Sequence, residues 1–350
     1  MFSSVQNRVR EQVADGLGWV KVARGVYLKP DATHPTVPPW EVRRVVSAAR
    51  IFAVRHLLST GPPVTFTGEA AMVAMGLDPW WNNPDVLFRS QTTRRGTPTL
   101  PSLVLRGKRV AGVAAREVRS GSLTGEAQGL SYESVDVAPP WLIAADIARN
   151  FHPLQSVHDC GELLRYGSSF DRFDQVSSRA RAEKLRGDWL QRLEKLNRSR
   201  GIRRSKAVFH LADPACESPA ESIVAWCLRL ILMEPESLRS QYEVNSGARF
   251  FLDFALPDAG LAIEVTGFGK FGSSSGEAHH VGQKLVRRQQ LLADSGFTTI
   301  NITYQQARNP HTLIRDLMRR LPMHGVAVKP PSGPCWDPSM SQVFSRSRRF

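Results

Sequence analysis

Two apolar stretches of this 350-residue chain each carry a carboxylate where a carboxylate is costly. In Leu261-Ala262-Ile263-Glu264-Val265-Thr266 the period of two of a strand puts Leu261, Ile263 and Val265 on one face, and Ala262, Glu264 and Thr266 on the other. Over residues 250–255, Phe250, Leu252 and Phe254 alternate with Phe251, Asp253 and Ala255. A charge in so apolar a strand has to be paired, hydrogen-bonded or bound to a metal. If the two strands form a hairpin through Pro257-Asp258-Ala259-Gly260, Asp253 and Glu264 lie on a common face and two carboxylates converge. Converging carboxylates repel, and a hard divalent cation, Mg²⁺ or Mn²⁺, removes the penalty. Such a cation positions water and stabilises the charge that develops on a phosphate under attack. Lys270, just past the second strand, is placed to orient the nucleophile or neutralise the phosphate. Glu221, on the preceding helix, is placed to support the metal shell.

Each residue also has a plainer reading. Ser218-Pro219-Ala220-Glu221 is a capping box with proline at the first helical position. Asp253 also reads as an edge-strand residue, Glu264 as an ion-paired core carboxylate, and Lys270 as a solvated lysine in a glycine-rich turn. His279 and His280 read as exposed, and His158 and Cys160 face apart at helical offset two. Trp80-Trp81 reads as a packed turn rather than a base-stacking platform.

The elements that must position these residues follow from periodicity and punctuation. Residues 219–233 predict a helix, 250–255 and 261–266 strands, 283–295 a helix, 298–303 a strand and 311–321 a helix. That order is one of a small mixed sheet flanked by helices. Upstream, residues 5–14 predict a short polar helix, and 18–28 two small strands turning at Ala23 to Gly25. A proline-rich linker at 31–39 precedes an amphipathic helix at 40–58. Between residues 64 and 137 short β-rich pieces surround a helix at 69–75, and helices return at 140–150, 154–166 and 175–197. The basic run that includes Arg203 and Arg204 reads as a solvated face or as a phosphate-contacting linker. Past Leu321 the proline, serine and arginine content predicts little order.

Composition narrows the class. With 42% hydrophobic and 22% charged residues the chain is globular, and its length suits two or three domains. The sequence has no run of eighteen apolar residues and its first ten residues are too polar for a signal peptide, so a cytoplasmic protein without membrane attachment is expected. Cys160, Cys216, Cys227 and Cys335 form no C-x-x-C pair and read as free thiols. A net charge of +14 points to a polyanionic partner, with DNA ahead of membrane lipid.

Several spaced strings then resemble a family. Glu217-Ser218-Pro219-Ala220-Glu221-Ser222, Pro235-Glu236, Gln241, Asp253-Phe254-Ala255-Leu256-Pro257, Ile263-Glu264-Val265-Thr266-Gly267-Phe268-Gly269-Lys270-Phe271 and the stretch from Arg288 to Gly296 occur in order. Together they look like the endonuclease-like domain related to very short patch repair enzymes, of PD-(D/E)XK type. The resemblance implies a restriction-endonuclease-like fold over residues 216–322, with Glu221, Asp253, Glu264 and Lys270 as the acidic and basic site positions. One departure is that the family carries an acidic residue two positions after the strand glutamate, where this chain has Thr266. A hydroxyl without charge predicts weaker metal binding. Lys284 and Arg288 share a helix face suited to the DNA backbone.

The stretch Gly18-Trp19-Val20-Lys21-Val22-Ala23-Arg24-Gly25-Val26-Tyr27 is similar to the wing of the winged helix in abortive-infection antitoxin-like proteins, which implies Lys21 and Arg24 as DNA contacts. The expected organisation is a partial winged-helix-like segment at 1–30, an antitoxin-like α+β and helical region at 40–198, a basic linker at 199–215, the endonuclease-like domain and a basic tail at 323–350. The fold class is mixed α/β. The functional expectation is a metal-dependent DNA endonuclease or nickase. The alternatives are a non-catalytic, antitoxin-like DNA-binding regulator on a degenerate nuclease scaffold, and an interaction protein whose basic surface serves solubility.

Overall fold

A computed structural model describes residues 5–7, 18–29, 38–90, 97–118, 129–132, 135–195, 201–245, 249–266, 290–340 and 343–344. The fold is mixed α/β and divides into two compact units, one built mainly on Met1–Phe151 and one on His152–Leu190 and Arg203–Phe344.

In the first unit, β1 (Val5–Asn7), β2 (Val20–Ala23) and β3 (Val26–Leu28) form an antiparallel sheet in the order β1-β3-β2. The hairpin expected at Ala23 to Gly25 is present, residues 5–7 of the helix expected at 5–14 are a strand, and residues 8–14 lie outside the described residues. Val5 pairs with Leu28, and the pairing satisfies backbone groups that the first turn of a helix leaves without partners. α1 (Pro39–Leu57) turns Val42, Val46, Ala49 and Ala53 inward. Arg50, on the same helix, is fully buried and donates to Asn83 Oδ1 (2.6 Å) and to the Pro101 carbonyl (2.7 Å). Burial lowers its pKa to about 10.

There follow β4 (Val64–Phe66), α2 (Gly68–Ala74), β5 (Val86–Ser90), β6 (Thr99–Leu100), β7 (Leu103–Leu105), β8 (Lys108–Val110), β9 (Val113–Glu117), β10 (Leu130–Tyr132), β11 (Val135–Val137) and α3 (Pro140–Asn150). Six of these strands make a mixed sheet in the order β10-β11-β4-β5-β9-β6. Asp146 on α3 accepts from Thr67 Oγ1 (2.6 Å) and Arg89 Nε (2.9 Å), a buried network that ties the helix to the sheet. Trp80 and Trp81 are buried.

The second unit opens with α4 (Pro153–Ser168), then α5 (Gln175–Glu194), α6 (Ile202–Leu211) and α7 (Pro219–Ile231). Its sheet runs β12 (Arg239–Asn245), β13 (Arg249–Leu256), β14 (Leu261–Thr266) and β15 (Thr298–Thr303), in that spatial order. The first three are antiparallel and β15 runs parallel to β14, followed by α8 (Tyr304–Ala307) and α9 (Pro310–Arg320). The β13–β14 turn places Gly260 at φ 55°, and a Cβ there would lie 2.8 Å from the Gly296 carbonyl oxygen, so the turn needs glycine on both counts. Leu252, Phe254, Leu261, Ile263 and Ile300 are buried in the core of this sheet.

Three features differ from expectation. β12 is an added edge strand, which its polar composition conceals. The basic run is partly α6, with Ile202, Ser205, Val208 and Phe209 buried, while Arg203 is exposed and the charge of Arg204 acts on His152 and Asp337. The segment after Leu321, expected to carry little order, forms a strap up to Met340. Leu232 bridges Val328, Lys329 N–H donates to the Ile231 carbonyl (2.7 Å), and Trp336 stacks on Trp226 at 5.7 Å. Burial of Cys335, Trp226 and Met340 outweighs the low average hydrophobicity that composition registers.

Candidate active site

β13 and β14 pair with Phe254 opposite Ile263, Ala255 opposite Ala262 and Leu256 opposite Leu261. Continued one pair beyond Phe254 and Ile263, that register places Asp253 level with Glu264, and opposed residues of an antiparallel pair share a face. Both carboxylates are half-buried, whereas their neighbours Leu252, Phe254 and Ile263 on the other face are fully buried. Asp253 Oδ2 accepts the Val265 N–H at 2.7 Å, so a side chain supplies the bond where the backbone ladder ends.

Glu221 comes to this place from the N-terminus of α7. Ser218 Oγ accepts from the Glu221 N–H (3.2 Å) and donates to Glu221 Oε1 (2.8 Å), while the Glu217 N–H donates to Oε2 (2.8 Å). With Pro219 in the first turn this is the expected cap, its return bond shifted to Glu217. Burial first, and the Asp253 carboxylate second, push the Glu221 carboxyl up to about 7, against the Glu217 N–H and the Ser218 hydroxyl. Asp253 therefore bears electrostatically on Glu221 as well as lying level with Glu264.

β12 completes the row. Ser240 opposes Phe254 and Tyr242 opposes Leu252, so Gln241 is level with Asp253. Gln241 is buried and left-handed at φ 47°, a strained backbone for a residue with a Cβ. The first two turns of α5 hold it there, with the Gln175 side chain donating to the Gln241 carbonyl and Arg179 Nη2 to the Ser240 carbonyl (2.5 Å). Beneath, Asp213 Oδ2 accepts from Arg229 Nη2 (2.6 Å) and Ser240 Oγ (2.6 Å), and Oδ1 from the Ala215 N–H (2.9 Å). Burial would raise the Asp213 carboxyl, but Arg229, the Ser240 hydroxyl, Arg179 and the Ala215 N–H together hold it well below the usual carboxylate range.

Lys270, Lys284 and Arg288 lie outside the described residues, as do His279 and His280. Lys21 and Arg24 are exposed on the first unit's hairpin. The four cysteines are free and buried, and burial pushes their thiols up, Cys335 to about 12. His158 Nδ1 lies 3.0 Å from Ser222 Oγ in the packing of α4 on α7. Asp213, Gln175 and Arg179 carry no local spacing signal in the sequence, and Gln241 stands out there only within the family-like strings. Among the described residues no group of three or more histidine, cysteine or carboxylate side chains is arranged to hold a metal ion, and no described helix is long and apolar enough to cross a membrane.

Comparison of the chain with protein-family models, with curated proteins and with solved structures gives no match.

Burial raises the Glu221 carboxyl most, and the Asp253 charge adds like-charge repulsion of the kind a divalent cation relieves. The same repulsion has a pH signature in metal-free protein. Glu221 has an ordinary value of 4.5 and a folded value of about 7, so between them the native state keeps a proton that the unfolded chain has released. Its contribution is therefore greatest below 4.5 and falls, by at most about 3 kcal/mol, as pH rises through 7. In chelator, urea unfolding at pH 5.5 and 8.5 should show a steeper loss for the wild type than for Glu221→Gln. Equal losses in the two proteins would contradict the assignment.

Proposed function

We propose that the second unit is a metal-dependent DNA endonuclease or nickase of PD-(D/E)XK type, with Asp253 and Glu264 as the metal ligands. The level placement of Asp253 and Glu264 on one sheet face, with Asp253 bearing on Glu221, is the observation that supports this reading most. Bound Mg²⁺ or Mn²⁺ supplies Lewis acidity toward a phosphate and acidifies water. The chain's own residues do the rest. Asp253 is oriented by the Val265 N–H, and Glu221, which the Asp253 charge already acts on, would complete the metal shell. Lys270 contributes an ammonium to the phosphate or the attacking water. The basic surface implied by a net charge of +14, with Arg203 and, in the first unit, Lys21 and Arg24 exposed, draws the polyanion. Lys284 and Arg288 are assigned to the DNA backbone on the family resemblance.

The test is conversion of supercoiled plasmid to the nicked form with Mg²⁺ or Mn²⁺ and its suppression by chelator. Thr266 favours a second reading, a DNA-binding, antitoxin-like regulator on a degenerate nuclease scaffold, because it leaves the site one carboxylate short. Retention of DNA that persists in chelator and falls steeply with salt, without nicking under either metal, would establish that reading over the first. If the enzyme reading holds, Thr266→Asp should raise nicking on the order of tenfold at limiting metal. An unchanged metal dependence would count against Thr266 as the weak point.

A further inference from the structure

Beside the acidic row lies a second construction, which the proposed chemistry does not use. Phe251 sits on β13 two residues from Asp253, and the period of two gives both the same face. In the connection between α4 and α5, Phe173 meets Phe251 edge-on, with ring centroids 5.5 Å apart and planes at 82°. Two guanidiniums flank the pair. Arg172 lies 5.1 Å from the Phe173 ring and 5.7 Å from Phe251, and Arg249 lies 5.5 and 5.3 Å from the same rings.

The connection is braced. The Phe173 N–H donates to Asp171 Oδ1 (2.9 Å), Ser178 Oγ accepts from the Asp171 N–H (3.0 Å), and Arg249 donates to the Phe173 carbonyl (2.9 Å). Arg172 also pairs with Glu217 (3.1 Å) and Arg249 with Glu243 (2.8 Å). Glu217 is in turn one of the charges acting on Glu221, so the platform and the acidic row are neighbours along two separate stretches of chain. Despite this bracing Phe173 remains 57% exposed. The ring is held in place and left open.

The charge around it selects an occupant. Residues 165–181 carry Arg165, Arg172, Arg179 and Arg181 against Asp171 and Asp174, on a chain of net charge +14. An aromatic ring with guanidiniums lying over it makes a planar, cationic surface that complements a nucleobase and the phosphate beside it. A base inside a duplex has both faces stacked, so only an unpaired nucleotide can use such a face.

We infer that Phe173, between Arg172 and Arg249, stacks an unpaired base of the DNA strand that reaches the Asp253 row, so that the favoured substrate carries a single-stranded overhang or gap. This deepens the nuclease reading and rests on it.

The test uses the full chain in chelator, so that binding is separated from cleavage, with one oligonucleotide as a single strand, as a duplex with a single-stranded overhang and as a blunt duplex. 2-Aminopurine is placed in the unpaired part. The wild type should bind the overhang more tightly than the blunt duplex and quench the 2-aminopurine. Phe173→Ala should weaken binding of the single strand and the overhang about tenfold and abolish the quenching, with blunt-duplex affinity unchanged. Phe173→Trp should retain both effects. Equal overhang affinity for Phe173→Ala and wild type, or an equal loss on blunt duplex, overturns the stacking role. Plasmid nicking by the same proteins keeps the two proposals apart. A protein that nicks while Phe173→Ala changes nothing overturns the platform alone, and a protein that retains no form of DNA overturns both.

Discussion

Asp253→Ala should lower metal-dependent plasmid nicking by a factor on the order of a thousand or more while leaving low-salt retention of DNA nearly intact. The size of the effect follows from the convergence of three roles on one side chain. Asp253 lies level with Glu264, its charge raises Glu221, and its Oδ2 takes the Val265 N–H at the end of the ladder. Alanine removes all three. Asp253→Asn separates them, because the carboxamide oxygen still accepts from Val265 while the charge is gone. The asparagine variant should therefore melt within about 1 kcal/mol of wild type, the net worth of a single hydrogen bond, and still fail to nick. In it the Glu221 carboxyl should also ionise more readily, having lost the neighbouring charge. Nicking by Asp253→Asn at the wild-type rate would remove the basis of the enzymatic reading.

Asp213→Ala carries the largest expected loss of stability, about 3–5 kcal/mol, because it strands the Arg229 guanidinium in a buried site and removes the acceptor of Ser240. The pH dependence runs opposite to that of Glu221. The folded Asp213 carboxyl is held below its ordinary value of 3.8, so its stabilisation is fully present above that value and is lost as pH falls through it toward the folded value. Urea midpoints should therefore differ strongly between wild type and Asp213→Ala at pH 7, and the difference should begin to shrink only once pH falls below 3.8. A difference below about 1 kcal/mol at pH 7 would show that the clamp contributes no more than an ordinary hydrogen bond. Because Asp213 fixes Ser240, and Ser240 precedes the left-handed Gln241, the variant should also lose nicking at temperatures where it remains folded.

Much of the second unit can be read directly from the residues. Alternation over Leu261–Thr266 and Thr298–Thr303, the cap at Ser218-Pro219 and the turn at Gly260 are local, and each has its physical cause within a few positions along the chain. The expectation that Asp253 and Glu264 share a face likewise needed only the period of a strand and a hairpin of the right length. Residues whose roles depend on distant partners were not legible. β12 is a strand because six of its residues pair with β13, although Tyr242 and Val244 are its only large apolar side chains.

Asp213 matters because Arg229 and Ser240 reach it, and Phe173 because Phe251 and Arg249 lie against it. The strap after Leu321 is ordered by Trp226, more than a hundred residues upstream of Trp336. Periodicity and punctuation thus set which elements form and which way their faces turn. Register, partner choice and the state of ionisable groups were decided by burial and by charges brought together from far apart in the chain. A local pattern records the first kind of information because its energies are short-ranged along the backbone, and it omits the second because those energies exist only once the chain has closed on itself.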